Sequence, residues 1–362
     1  MTALEAEIRR IIDIDGPIPV AQFMALCLAH PTYGYYRTRD PFGVAGDFVT
    51  APEISQMFGE LIGLWGAALW QQMGAPDQVL FVEFGPGRGT LMADALRAAR
   101  ILPDFLSALD VHLIETSPAL RERQHQLLAG VDRPIVWHDD ARTLPDRPMI
   151  GVANEFFDAL PVHQAIKAPD GWHERMIGVS DQGNLSFAVH PDPIPGFEIL
   201  LPNRVREAQL GSLYEWRSDT LVTELAERVA AKGGAILVVD YGHGQSGVGE
   251  TLQAVHAHGF ADPLARPGEV DLTAHVDFAR CLRAARQAGA AVYGPLDQGT
   301  LLQRLGIDAR AAALKASATA EQSASIDAAL RRLTGPAPGM GELFKAIAIA
   351  DPSLGSIPGF DH

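Results

Sequence analysis

The hydrophobic pattern of this chain alternates short apolar runs with longer stretches in which apolar residues recur three or four positions apart. The short runs have the length of buried strands, and the longer stretches have the spacing of amphipathic helices. This alternation predicts an α/β fold with a mostly parallel, Rossmann-like sheet and flanking helices. Seven runs fit the strands of one sheet, at residues 79–83, 111–115, 135–140, 149–155, 235–242, 289–294 and 343–349.

Two regions depart from this alternation. Residues 1–30 predict two short helices broken at residues 16–19, and an amphipathic helix follows at 53–73. Between residues 164 and 190, short runs separated by Pro-Asp-Gly and Asp-Gln-Gly-Asn predict antiparallel hairpins. The predicted organisation is an N-terminal helical cap with an aromatic loop, a sheet core and an inserted β-hairpin and helix subdomain, with boundaries at 1–74, 75–163 with 233–350, and 164–232.

The turn after the first strand contains three glycines at alternate positions, Gly85, Gly87 and Gly89, and the first of them is two residues after Glu83. Glycine permits positive φ and a close approach of the backbone to a ligand, and the following helix presents free N–H groups. A dinucleotide fingerprint would place its third Gly at the position of Thr90, and Pro86 lacks an N–H for a pyrophosphate. The turn therefore favours a nucleotide-like ligand without phosphate, or it is simply a glycine-rich turn of an α/β protein.

Acidic and amide side chains follow the later strands. Glu115 ends the second strand, where a carboxylate can accept two hydrogen bonds from a ribose diol, unless it merely faces solvent. Asp139 and Asp140 end the third strand. Asn154, Glu155 and Asp158 follow the fourth strand, and their desolvation is costly unless they bind something. We therefore expect a polar site at this edge of the sheet.

Composition excludes several classes of function. The net charge of −15 and the thin spread of basic residues argue against nucleic-acid binding, and they suit a cationic substrate or an acidic solvated surface. Two cysteines and scattered histidines supply neither a disulfide framework nor a metal site. No run reaches the roughly 20 apolar residues of a membrane helix. The amino-terminal residues lack the features of a signal or transit peptide, so we expect a cytoplasmic location and no membrane insertion.

The glycine turn resembles the first motif of class I S-adenosylmethionine-dependent methyltransferases. Further motifs together resemble the MidA-like family of that class, which has mitochondrial and bacterial members. The matching segments span most of the chain and lie at residues 30–36, 46–55, 83–90, 154–161, 239–242 and 271–275.

The resemblance implies a seven-stranded class I methyltransferase sheet with an N-terminal cap and an antiparallel β insertion. It implies S-adenosyl-L-methionine as cofactor and a protein arginine as acceptor, which in the mitochondrial case lies on a core subunit of complex I. Because no transit sequence is present, we expect a bacterial enzyme. The implied cofactor residues are Glu83 at the ammonium group, the three glycines, Glu115, Asp139 at the adenine amino group, and Asn154.

An arginine acceptor has a specific chemical requirement. A guanidinium stays protonated, with a pKa above about 12, so carboxylates must orient it and take up the proton. Glu155 and Asp158 are our candidates, although the pair could instead cap the next helix or pin the cap loop. Tyr33, Tyr35 and Asp47 are candidates for a lid over the cofactor, or for a loop pinned to the core by its rings. The alternative functions are methyl transfer to a small molecule or another side chain, and cofactor binding by an assembly factor with little turnover.

Overall fold

A computed structural model describes residues 1–38, 49–256 and 259–360. The chain divides into two compact units. The insertion unit comprises Met1–Phe48, Asp158–Ser218 and Gln245–Asp277. The sheet unit comprises Val49–Phe157, Asp219–Gly244 and Phe278–His362.

The predicted sheet is present in the sheet unit, and the α/β fold class is confirmed. Its seven predicted strands are β1 (Val79–Phe84), β2 (Leu109–Ile114), β3 (Ile135–His138), β4 (Met149–Asn154), β5 (Gly234–His243), β6 (Ala291–Asp297) and β7 (Phe344–Ala350). They lie in the order β6-β7-β5-β4-β1-β2-β3. Strands β1 to β5 are parallel, whereas β7 is antiparallel to both β5 and β6. The strand order reverses between β1 and β4, and open α/β sheets bind ligands at the carboxyl end of such a switch point.

Helices cover this sheet because their apolar stripes need burial. They span Ala51–Ile54, Gln56–Gln72, Thr90–Ala99, Pro103–Ala108, Pro118–Leu128, Thr220–Lys232, Phe278–Gln287, Gln298–Arg304, Ile307–Lys315 and Ala320–Thr334, with short 3₁₀ turns at Ala141–Thr143 and Pro352–Leu354. Trp65, Phe81 and Ile150 belong to one buried cluster between helices and sheet. Helices 56–72 and 90–99 pack closely, since a Cβ on Gly63 would lie 2.5 Å from the backbone oxygen of Ala95.

The insertion unit contains the predicted antiparallel hairpins. One sheet is formed by Ile18–Pro19, Gly171–Val179, Val162–Ala168 and Leu213–Arg217, with Leu185–Pro193 paired to the second of these strands. A three-stranded sheet is formed by Gln253–His256, Gly259–Ala261 and Asp271–Thr273, and a short strand follows at Val276–Asp277. The helices span Ala3–Asp15, Val20–Ala29, Tyr35–Thr38, Phe197–Leu200 and Asn203–Arg206.

The observed unit boundaries differ from those predicted. Helix 56–72 lies in the sheet unit rather than in an N-terminal cap, because it packs on helix 90–99. Helix 220–232 also belongs to the sheet unit, whereas residues 245–277 belong to the insertion unit. Within the described residues, no helix combines the length and the apolar character that crossing a membrane requires.

Candidate functional site

The glycine turn connects β1 to helix 90–99 and requires glycine for two reasons. Gly85 has a φ of +64° and Gly89 a φ of +88°, which L side chains rarely adopt. In addition, a Cβ on Gly85 would lie 2.7 Å from Cδ2 of Phe156. The middle glycine, Gly87, also has positive φ, at +53°. The three predicted glycines therefore form one tight turn at the carboxyl end of β1.

Glu83, the second-last residue of β1, is almost fully buried at 3% exposure. Burial raises the pKa of its carboxyl group to about 8, the backbone N–H of Met92 opposes this shift, and the negative charge of Glu115 adds to it. No group among the described residues hydrogen-bonds to Oε2 of Glu83. A buried carboxyl oxygen without a hydrogen-bond partner is costly, so this atom suits a ligand that supplies a donor.

Glu115 lies one residue beyond the end of β2, next to the turn. Its backbone N–H bonds to the carbonyl of His138, and its Oε1 accepts the backbone N–H of Ser117 at 2.7 Å. Burial raises the pKa of this carboxyl group, and the hydrogen bonds from Ser117 and Gln124 oppose the shift. The structure thus brings Glu83 and Glu115 to the same edge, close enough for their charges to interact.

Gln124 is a residue of this site that sequence reasoning missed. It is fully buried on helix 118–128, and its Nε2 donates to the backbone oxygen of Gly87 at 2.7 Å. The available signal was a polar residue within an apolar stripe, since the buried positions of this helix are Leu120, Gln124 and Leu128.

The two acids after β3 have different surroundings. Asp140 caps the short turn 141–143 and pairs with Arg142, whose hydrogen bonds lower the pKa of the Asp140 carboxyl to about 2. Asp139 is largely exposed, with an Oδ1 that pairs with Arg121 at 2.7 Å. The side chain of Asp140 is therefore used to cap the local turn, whereas the side chain of Asp139 pairs with Arg121 and faces solvent.

The end of β4 holds Asn154 and Glu155. Asn154 is buried, and among the described residues no group hydrogen-bonds to its Oδ1. Glu155 has a φ of +49°, an uncommon value for a side chain with a Cβ, and such strain is concentrated at functional sites. The turn is held by Asp240, whose Oδ2 accepts the backbone N–H groups of Phe156 and Phe157 at 3.1 and 2.9 Å.

The segment 51–54 bridges both parts of this edge. The backbone N–H of Ala51 donates to Oε1 of Glu155 at 2.8 Å, and the hydroxyl of Thr90 donates to Oε1 of Glu53 at 2.5 Å. Arg88 approaches the other carboxylate oxygen of Glu53 at 3.7 Å. The conformation of this segment is therefore tied to the glycine turn and to the end of β4.

The remaining predicted site residues belong to the insertion unit. Asp158 is buried, and its backbone oxygen accepts hydrogen bonds from Ala274 and Arg217. Tyr35 is fully buried in the core of this unit, whereas the side chain of Tyr33 is 39% exposed. Asp47 lies outside the described residues.

Comparison with known proteins identifies related chains. Residues 61–296 match the sequence model of a family of S-adenosyl-L-methionine-dependent methyltransferases. The mitochondrial protein arginine methyltransferase NDUFAF7 of Mus musculus is 38% identical over 319 residues, covering 82% of this chain and 72% of that protein. Its homolog in Drosophila melanogaster is 36% identical over 377 residues, covering 96% and 84%.

A solved structure is similar over nearly the whole chain. It is a protein from Burkholderia thailandensis bound to S-adenosyl-homocysteine, with 30% sequence identity and a TM-score of 0.85. The match covers 99% of this chain and 93% of that one.

The residues at the sheet edge fit a ligand of that kind. An S-adenosyl amino acid carries an ammonium group, ribose hydroxyls and an adenine amino group, all of which donate hydrogen bonds. The edge offers two buried acceptors that lack donors among the described residues, Glu83 Oε2 and Asn154 Oδ1. It also offers a glycine turn in which a Cβ at the position of Gly85 would clash with Phe156. This donor and acceptor match is the basis for assigning a cofactor to the edge.

Proposed function

This chain belongs to a family of S-adenosyl-L-methionine-dependent methyltransferases, and we propose that it methylates an arginine side chain of a protein. The observation that carries the acceptor class is the shared name of the two relatives, both protein arginine methyltransferases, which match 82% and 96% of this chain. The net charge of −15 suits the approach of a cationic acceptor.

The chemistry of the acceptor supports a role for Glu155. A guanidinium is protonated at neutral pH, so its nitrogen becomes a nucleophile only as a proton leaves. A carboxylate at the end of β4 would orient the guanidinium and receive that proton. The backbone N–H of Ala51 and Nδ2 of Asn154 both donate to Oε1 of Glu155, at 2.8 and 3.3 Å, and together they orient the carboxylate. The role of Asp158 as a second carboxylate stays a prediction from the sequence.

The cofactor would be held by the residues that follow the strands. When bound, S-adenosyl-L-methionine supplies an electrophilic methyl group. Glu83 and Asn154 would hold its amino-acid part, Glu115 its ribose, and Asp139 its adenine amino group. Binding donor and acceptor in contact and excluding water would then supply most of the rate enhancement.

We propose a respiratory complex I type subunit as the protein that carries the target arginine. The related mitochondrial arginine methyltransferases support a protein acceptor, and the choice of a complex I type subunit rests on the family resemblance of the sequence. The cytoplasmic location, the bacterial origin and the lid formed by Tyr33, Tyr35 and Asp47 stay predictions.

The test is methyl transfer from tritiated S-adenosyl-L-methionine to proteins of a cell lysate, followed by mass spectrometry of the labelled peptides. We expect label on arginine in few proteins, and label on a small molecule or on other side chains would contradict the proposal. The variant Glu155→Gln keeps the acceptor for Ala51 but loses the negative charge. It should therefore lose methyl transfer by at least about a hundredfold while binding S-adenosyl-L-homocysteine normally.

The matched control is Glu227→Gln, which removes a carboxylate from an exposed position of helix 220–232. This control should methylate as the unmodified protein does. Unchanged labelling by Glu155→Gln would remove Glu155 from the reaction and favour its purely structural role in holding Ala51.

A further inference from the structure

The side-chain amide of Gln124 makes three hydrogen bonds in a fully buried position. Its Nε2 donates to Gly87 O at 2.7 Å and to Glu115 Oε2 at 3.4 Å, and its Oε1 accepts from Trp137 Nε1 at 2.7 Å. An indole N–H can only donate and a backbone carbonyl can only accept, so the partners determine the orientation of the amide. Gln124 therefore has one defined conformation.

The three partners belong to three neighbouring strands, two of them just after a strand and one within a strand. Gly87 is in the turn after β1, Glu115 follows β2, and Trp137 is in β3. Helix 118–128 thus connects the carboxyl ends of neighbouring strands through one side chain. The Cγ of Gln124 would also lie 3.4 Å from a Cβ on Gly89, so its stem packs against the same turn.

The chemistry of an amide is needed for this arrangement. A Leu or Met would continue the apolar stripe of Leu120 and Leu128 without burying polar atoms. However, neither could donate to the Gly87 carbonyl and to the Glu115 carboxylate together. Burying the amide is favourable only because its donors and acceptor are used.

We propose that Gln124 is a positioning residue for the cofactor, which holds the Gly87 turn and the Glu115 carboxylate in one arrangement for the S-adenosyl nucleoside. Through Gly87 O it determines the path of the turn that a ligand approaches. Through Glu115 Oε2 it orients the carboxylate so that the remaining lone pairs face the nucleoside. Gln124 acts through these two groups and does not itself contact the cofactor.

The decisive measurement is the dissociation constant of S-adenosyl-L-homocysteine, obtained by calorimetry on the full chain. Gln124→Met keeps the length and loses all three hydrogen bonds, so its dissociation constant should rise by about tenfold or more. The matched control is Gln126→Met on the same helix, where an exposed amide donates to Glu122 at 2.8 Å. This control should bind within about twofold of the unmodified protein.

A second variant separates positioning from general packing. In Gln124→Glu the new carboxyl can accept from Trp137 at any pH, but it can donate to Glu115 or Gly87 only when protonated. Its binding defect relative to the unmodified protein should therefore grow as pH rises from about 6 to about 8.5. A purely structural role would lower the unfolding temperature but leave the affinity of the folded protein independent of this ionisation.

Trp137→Phe provides a test that leaves Gln124 in place. It removes the donor to Gln124 Oε1 and keeps an aromatic ring, so the dissociation constant should rise by about threefold. If Gln124→Met does not fold, this variant decides. Binding within about twofold of the unmodified protein by Trp137→Phe and by every Gln124 variant that folds would overturn the proposal.

Discussion

Glu155 accepts the backbone N–H of Ala51 through Oε1 at 2.8 Å, while its own backbone has a φ of +49°. Glu155 is our candidate for the carboxylate that binds the target guanidinium. Its side chain therefore also anchors the segment 51–54. The two roles can be separated because the hydrogen bond needs an acceptor oxygen, whereas guanidinium binding needs a negative charge.

Glu155→Ala should destabilise the protein more than Glu155→Gln. The alanine variant leaves the N–H of Ala51 without its acceptor, which costs about 1–3 kcal/mol when the group stays buried. The glutamine variant keeps an acceptor oxygen in the same place. Urea unfolding of both variants, with Glu227→Ala as an exposed control, measures the difference. Equal unfolding free energies for the alanine and glutamine variants would show that the Ala51 bond contributes little.

Cofactor binding should depend on pH through Glu83. Its carboxyl has a pKa of about 8 in the free protein and is protonated at neutral pH, whereas a cationic ammonium favours the ionised form. Binding of S-adenosyl-L-homocysteine should therefore release a proton at neutral pH, and its affinity should rise as pH approaches about 8. Calorimetry in buffers of different ionisation enthalpy counts that proton.

Ionisation of Glu83 favours cofactor binding, but it lowers the stability of the folded protein without cofactor. The pKa of Glu83 is raised above its unfolded value, so its contribution is fully present below the unfolded pKa and is lost as pH rises through about 8. Glu83→Gln should remove both the proton release and this part of the stability profile. Proton release that persists in Glu83→Gln would assign it to another group.

Gly85→Ala should impair folding and cofactor binding together. The substitution places a Cβ 2.7 Å from Phe156 Cδ2 and forces a φ of +64° on alanine. The left-handed backbone alone costs about 1–2 kcal/mol. Gly130→Ala is the control, because nothing lies within 4 Å of its added Cβ. Unfolding free energy and S-adenosyl-L-homocysteine affinity are the measurements, and equal values for the two variants would contradict the tight turn.

A pair of contacting histidines, His112 buried and His138 half-buried, should make the protein sensitive to acid. His112 Nδ1 and His138 Nε2 are 2.8 Å apart, and burial lowers the pKa of both rings. A lowered histidine pKa gives stability that is present above the unfolded pKa of about 6.5 and is lost as pH falls below it. The unfolding temperature should therefore fall between about pH 7.5 and about pH 5.5.

His112→Asn tests the origin of this loss, since an amide can replace the hydrogen bond without titrating. Its unfolding temperature should fall less over the same pH interval. His190→Asn, at an exposed position, should retain the acid sensitivity of the unmodified protein. If His112→Asn retains it too, the titrating groups lie elsewhere.

The predicted start of one helix was wrong because those residues pair with a distant strand instead. Residues 271–273 have the sequence of a helix cap, and this local pattern predicts a helix from there to Gln287. Instead they form a strand paired with residues 253–255, and the helix begins at Phe278. A sheet partner about 20 residues away supplied the backbone hydrogen bonds that a local cap would have used.

The sequence by itself determined the seven strands, the glycine turn and the placement of Glu83, Glu115 and Asn154 at strand ends. These features are local, because strand and helix periodicity and the demand for glycine are set by neighbouring residues. Parallel pairing then brings the carboxyl ends to one edge, so their proximity follows from strand order.

Only the tertiary structure decided which groups support that edge. The bonds from Gln124 to Gly87 and from Ala51 to Glu155, and the packing of helix 56–72 on helix 90–99, join residues far apart in the chain. Such pairs depend on the three-dimensional packing of whole elements, which leaves no periodic signal in the sequence. The buried stripe of helix 118–128 distinguishes Gln124 in the sequence, but only the tertiary structure shows which groups Gln124 and Ala51 hold in place.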